Sequence, residues 1–244
     1  MHLTDWRAWQ ASATRTAHDS RVEITPTPRA EQVPAMLRRR LSSVGQACCT
    51  LLSALDPHAN LPVIHASRHG DTTRILALLD AATQPDEALS PARFSLSVHN
   101  AILGLYSIVS QSHQPLEAVA ACGDEFEAMM SEALGYLTER DEVIVLFSDI
   151  AAPDAFIHHG DYPAHASAVA MRLSRSTVPD IGSAELSASP VSPAASQITH
   201  TPNAPTPLEV IHWLEQAEHL PEATLTCRRQ HWQLVAPHPA PDHD

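Results

Sequence analysis

Apolar positions along the chain switch between a helical and a strand period in a regular order. From Pro34 onward Leu37, Leu41, Val44, Cys48, Leu51 and Leu55 step by three and four, the stripe of a helix packed on one side, and Asp56-Pro57 stops it. The short apolar run over 61–66 reads as a strand ended by Ser67-Arg68-His69-Gly70. A helix over 72–82 follows, carrying Ile75, Leu76, Leu78 and Leu79 and capped by Asp71 or Thr72. Ser90-Pro91 opens the next unit. Over 98–109, Val98, Ile102, Leu105 and Val109 form one helix face while Ala101, Leu103 and Ile108 cover most of the other. A helix apolar nearly all round is expected to be buried on all sides, within the domain or against a partner.

The stretch 116–121 is compatible with a strand, and Gly123 permits a sharp turn into a helix whose stripe is Phe126, Met129, Met130, Ala133, Leu134 and Leu137. Glu127, Ser131 and Glu132 are expected on its outer side. Val143-Ile144-Val145-Leu146-Phe147, preceded by Asp141-Glu142, is the pattern of a central strand covered on both faces. The ends of the chain are less regular. Residues 1–27 read as a short helix and an extended segment, 151–163 as a loop and 164–173 as a strand. The Ser/Ala/Pro/Thr-rich stretch 178–207 reads as a mobile excursion. A helix over 207–218, a closing strand or hairpin over 223–235 and a dangling polar tail complete the chain. Alternating strands and helices predict an α/β fold.

The 244 residues, 44% of them apolar, suffice for a substantial core in a single domain. Twenty-eight acidic against 15 basic residues give a net charge of −13, which excludes a general phosphate-backbone binder and makes nucleic acid an unsuitable partner. Every basic residue is Arg, so Schiff-base chemistry and the Lys-dependent phosphate loop are excluded. Cys48, Cys49, Cys122 and Cys227 lack the paired spacing of a zinc site or disulfide framework and read as reduced thiols. No signal-peptide core and no bilayer-length apolar run is present, so a cytoplasmic protein without a membrane span is expected. His158-His159-Gly160-Asp161 and the pair His65 and His69 lack a convergent third ligand, so neither metal nor cofactor is expected. Arg38-Arg39-Arg40 is a solvated face or a site for an acidic carrier protein or cofactor phosphate.

The layout around Cys122-Gly123, together with Ser90-Pro91, Asn100 and Gly104 upstream, resembles the N-terminal half of the β-ketoacyl synthase, or thiolase-like, fold. Ala66-Ser67-Arg68-His69-Gly70 and Phe94-Ser95-Leu96-Ser97-Val98-His99-Asn100 resemble a synthase-like subfamily found in gene clusters for aryl polyene pigments. Its members look like chain-length factors, inactive partners of a true ketosynthase. The resemblance covers roughly residues 30–175 and is specific around 90–147. It implies a layered α/β/α fold with a mixed central sheet, truncated relative to a whole synthase.

Departures from the family pattern bear on activity. There is no His-Gly-Thr-Gly-Thr string and no later Gly-His pair. Counting from Asn100 without a gap puts Gly123, not Cys122, at the nucleophile position, and Asp124 and Glu125 place two carboxylates where a helix N-terminus would otherwise favour a thiolate. Cys122 is therefore expected to be a buried, inert thiol in a vestigial site. The resemblance implies a heterodimer with a catalytic ketosynthase, with acyl carrier protein reaching the complex. Arg93, Phe94, His99, Ile102, Leu105, Tyr106, Val109, Leu116 and Val119 would then form the partner interface and the end of an acyl tunnel. Two other readings remain open: a small acyltransferase or thioesterase using Cys122 with His99 or His165 as base, and a stand-alone binding module.

Overall fold

The computed structural model of the chain describes residues 1–12, 20–85, 88–156, 163–177, 183–191 and 204–236. Its strands are β1 (His2–Gln10), β2 (Val22–Ile24), β3 (Val63–Ala66), β4 (Leu116–Val119), β5 (Glu142–Asp149), β6 (Ser167–Ser174), β7 (Ala184–Pro190), β8 (Glu222–Thr226) and β9 (Gln230–Val235). The helices are α1 (Ala35–Arg38), α2 (Ser43–Leu55), α3 (Thr72–Thr83), α4 (Pro91–Ser95), α5 (Ala101–Ser110), α6 (Glu125–Glu139) and α7 (Pro207–Ala217).

All these strands join one mixed sheet in the order β4-β3-β5-β6-β1-β7-β9-β8, with β2 beside the far end of β1. The β4, β3 and β5 strands run parallel, so their carboxyl ends and the loops that follow lie at one end of the sheet. Period-two alternation sorts their side chains. On β5, Val143, Val145 and Phe147 face the layer of α6 and α7, while Ile144 and Leu146 face α2 and α5. Small residues Ala168 and Ala170 on β6 bring α2 close to the sheet, and Cys48 and Cys49 are buried there. Burial holds both thiols up at about 12, well removed from reactivity. On the opposite face Phe126 of α6 meets Phe147, Trp213 and Trp232 at ring centroid distances of 6.1, 6.3 and 5.9 Å, tying sheet, α7 and hairpin together.

Several expectations are corrected. Residues 2–10 form a strand, not a helix. A register shift between Leu3 and Asp5 carries Leu3, Trp6 and Ala8 onto one face and Trp9 onto the other, so the strand mimics helical spacing. The helix expected from Pro34 to Leu55 is broken after Arg38 and restarts at Ser43, where the Ser42 hydroxyl accepts the Gly45 N–H. Within 178–207, residues 184–190 are a sheet strand instead of part of an excursion. This strand, β7, pairs with β9 along its length and with β1 at its start, yet buries only Leu186, so its place depends on main-chain pairing that composition does not register. The remainder of that stretch lies outside the described residues, except for 183, 191 and 204–207, as does the tail beyond residue 236. Helix α6 also buries Glu127, expected outside, and exposes Leu134, expected inside. The Glu127 carboxylate accepts the Arg229 N–H at 3.1 Å, and burial raises its pKa.

Candidate functional site

The chain leaves β4 at the sheet's outer edge and turns sharply into α6. Cys122 sits in the left-handed region at φ 51° and Gly123 at φ 107°. The Cys122 thiol is exposed, not buried as expected. No hydrogen bond joins it to His99 or His165, and His165 is itself exposed. The Gly123 N–H, the donor available at this turn to an incoming carbonyl oxygen, is taken by the buried Glu125 carboxylate at 2.8 Å. The β8–β9 turn closes over the same place. Arg229 pairs with Asp124 at 2.7 Å, and Arg228 lies so near that a Cβ on Gly123 would stand 3.0 Å from its guanidinium.

A second polar group occupies the loop after β3. Asp149, at the end of β5, accepts the Ser67 hydroxyl at 3.1 Å and the main-chain N–H groups of Arg68 and His69 at 3.1 and 3.0 Å. The Ser67 hydroxyl in turn accepts the Gly70 N–H at 2.9 Å. Burial outweighs these bonds and raises the Asp149 carboxyl to about 7. His65 bonds Ser148 at 2.8 Å, and burial, assisted by neighbouring His99, lowers it to about 4. Burial likewise lowers His69, with Arg68 adding to it and Glu125 opposing. Asp149, Ser148 and Arg228 were not singled out from sequence, while Glu125 was named only as a carboxylate beside Cys122 and Ser67 only within the string 66–70. The available signal was Ser148-Asp149, polar residues ending a buried strand at the side of a parallel sheet where ligands gather.

Two cavities meet at His99. A small inner one, about 30 Å³, is lined by His65, Ser67, Ser148, Asp149, Ile102 and Leu105, with Arg40 and Arg74 also on its wall. An open apolar groove of about 630 Å³ lies between α3 and α4, lined by Ile75, Leu78, Leu79, Leu89, Phe94 and Val98. That volume is typical of a small-molecule site. Val98 and His99 line both.

The residues expected at an interface divide into two sets. Arg93 and Phe94 are exposed, Phe94 by 64%. His99, Ile102, Val109, Leu116 and Val119 are half-buried, and Leu105 and Tyr106 are buried against the layer containing α2. Helix α5 is thus not covered on all sides within the chain, because Ile108 is 64% exposed. The outer edge of β4 has no strand partner among the described residues. Of the basic triplet, Arg38 donates to the carbonyls of Arg29 and Ala30, and the Arg40 carbonyl accepts from Arg74. His158, His159 and Asp161 lie outside the described residues. No helix among those described is long and apolar enough to cross a membrane.

The mixed sheet between two helical layers, with its strand-to-helix turn at the carboxyl end of β4, has the thiolase-like ketosynthase architecture. The family model for the β-ketoacyl synthase N-terminal domain matches residues 6–234, and the chain belongs to that family. A chain of the Xenorhabdus doucetiae complex between the ketosynthase ApeO and its chain length factor ApeC has the same fold. It matches at a TM-score of 0.72 and 23% identity, over 96% of this chain and 98% of that one. The ishigamide ketosynthase/chain length factor matches more loosely, at 0.47 and 15%, over 79% of this chain and 56% of that one. No curated protein matches the chain in sequence.

Proposed function

We propose that this chain is a non-catalytic, chain-length-factor-like partner of a β-ketoacyl synthase, shaping the acyl tunnel in type II polyketide biosynthesis of the aryl polyene kind. The observation that carries the non-catalytic part is the Glu125 carboxylate on the Gly123 N–H. Thioester chemistry at this turn needs a donor facing the developing oxyanion, and a fixed carboxylate there both consumes the donor and repels the charge. Cys122 also has no hydrogen-bonded base among the described residues, which disfavours the Cys122 acyltransferase or thioesterase alternative.

The partner follows from the surface. The open edge of β4, with Leu116 and Val119, can continue a second sheet, while Ile108 on α5, the helix packed on β4, and Val98 and Phe94 on the α3–α4 groove are exposed apolar side chains a partner can cover. The pairing of ketosynthase with chain length factor in the Xenorhabdus doucetiae complex supports this choice of partner. In this arrangement the groove beside Phe94 and His99 closes the far end of the tunnel, Arg93 stands at its rim, and Leu105 and Tyr106 anchor α5 on the core that contains α2. The whole described chain acts as one ketosynthase-like domain.

Co-expression with the ketosynthase of the same pathway tests the proposal. A stable complex should form, and Cys122→Ala should leave its product formation within about twofold of wild type. A loss of about a hundredfold or more, with the complex intact, would show Cys122 to be a nucleophile and overturn the assignment.

A further inference from the structure

Among the described residues β4 is the last strand on its side of the sheet, and only alternate residues of its main chain are used. In a parallel pair one residue directs both its N–H and its C=O to one neighbour, and the next directs both to the other side. The Pro115 carbonyl accepts the Val63 N–H at 3.0 Å, and the Val119 carbonyl accepts the Ser67 N–H at 3.4 Å. Glu117, midway between them, therefore also turns its main chain to β3, and Leu116 and Ala118 direct theirs outward. Side chains alternate as well. Leu116 packs on the side of α2 and α5, while Val119 and Glu117 lie on the side of α6, where the Glu117 carboxylate accepts the Tyr136 hydroxyl at 2.5 Å.

Glu117 is half-buried and enters no ion pair among the described residues. Its surroundings are acidic. Burial, then the Glu117 carboxylate and Glu132, hold the Tyr136 phenol up at about 12, with the exposed Arg140 opposing. A strand added to this edge runs about 5 Å from β4, so one of its side chains stands beside Glu117 on the same face. Docking takes the carboxylate out of water, and an apolar or acidic neighbour there leaves its charge uncompensated. A second copy of this chain brings only Leu116, Glu117, Ala118 and Val119 to the edge, two carboxylates between the copies and no base.

We propose that Glu117 reads the charge of the strand that joins β4, and that the ketosynthase partner sets an arginine or lysine beside it on the α6 side of the joined sheet. The proposal rests on the open β4 edge being the ketosynthase interface, and it names the chemistry by which that edge takes a different protein in place of a second copy. Tyr136 positions the carboxylate, its hydroxyl holding one oxygen and leaving the other for the incoming cation.

The test is the affinity of the purified full chain for the ketosynthase of its pathway at about 50 and about 500 mM salt. Glu117→Gln keeps an acceptor for Tyr136 and removes the charge. It should raise the dissociation constant about tenfold or more at the lower salt and by less at the higher. Glu117→Leu should bind more weakly still, because it leaves the partner's cation against an apolar side chain. Tyr136→Phe, which retains the charge and frees the carboxylate, should weaken binding less than Glu117→Gln and keep the salt dependence of wild type. Thermal unfolding of the isolated chain establishes that each variant is folded. Where the wild-type complex forms, equal affinity of wild type and Glu117→Gln at both salt concentrations, or tighter binding by Glu117→Leu, refutes the cation and leaves the interface standing. Absence of the wild-type complex refutes the interface, and the pairing at Glu117 with it.

Discussion

Glu125 and Asp149 are acidic side chains near one end of the sheet, and each is held by main-chain donors instead of solvent. Glu125 takes the donor that catalysis at the turn would use. Asp149 fixes the loop Ser67–Gly70 against which His99 packs, at an energetic cost that depends on pH. Its folded pKa, about 7, lies above the ordinary 3.8, so its contribution to stability is full below pH 3.8 and is lost as pH rises through 7. His65 has the opposite sign. Its folded value of about 4 lies below the ordinary 6.5, so stability is full above 6.5 and is lost as pH falls through 4. The two slopes oppose each other between about 4 and 6.5, and wild type conceals both in its net profile. Asp149→Asn keeps the acceptor oxygen while removing the titration. Its melting temperature relative to wild type should therefore rise by a few degrees between pH 4.5 and pH 8. A constant difference across that range, followed by scanning calorimetry, would refute the assignment of a raised carboxyl.

At the scale of elements, α6 is held by the aromatic cluster around Phe126, which joins it to β5, α7 and β9. Phe126→Ala should cost about 3–5 kcal/mol in chemical denaturation, because the rings around it cannot collapse into the space. β7 is held differently, by two ladders and one buried leucine. Removing residues 184–190 should detach the β8–β9 hairpin from β1, and with it the arginines over the Cys122-Gly123 turn. The expected outcome is an insoluble chain, or one lacking a single cooperative unfolding transition. Soluble protein with an unchanged melting temperature would show that this strand adds nothing to the sheet.

For the whole molecule, the two faces of α5 predict opposite outcomes. Ile108→Asp places a charge on a face that this chain leaves open, so the isolated protein should fold normally and fail to co-purify with the ketosynthase, a buried unpaired carboxylate costing several kcal/mol. Leu105→Asp and Tyr106→Ala strike the chain's own core, and both should lower the melting temperature before any effect on assembly. Phe94→Ala, on the open groove, should leave assembly intact and shift the acyl products toward longer chains by mass spectrometry. Normal co-purification of Ile108→Asp would remove α5 from the interface.

The sequence by itself determined the elements whose side chains carry their own pattern: the α2, α3, α6 and α7 stripes, the apolar run of β5, and the turn at Cys122-Gly123. It also carried the strings that identify a ketosynthase-like domain, because these local constraints are written in consecutive residues. Only the tertiary structure decided the strand character of residues 2–10, where a bulge broke the alternation, and of β7, whose pairing uses main chain that every sequence possesses. The same holds for the site. Cys122 was visible as a residue, but its exposure and the capture of the Gly123 N–H by Glu125 depend on how the turn folds back on itself. Burial of Leu105 beside exposure of Ile108, three residues apart on one apolar helix, was set by which face met α2, a choice made by the sheet and not by the helix.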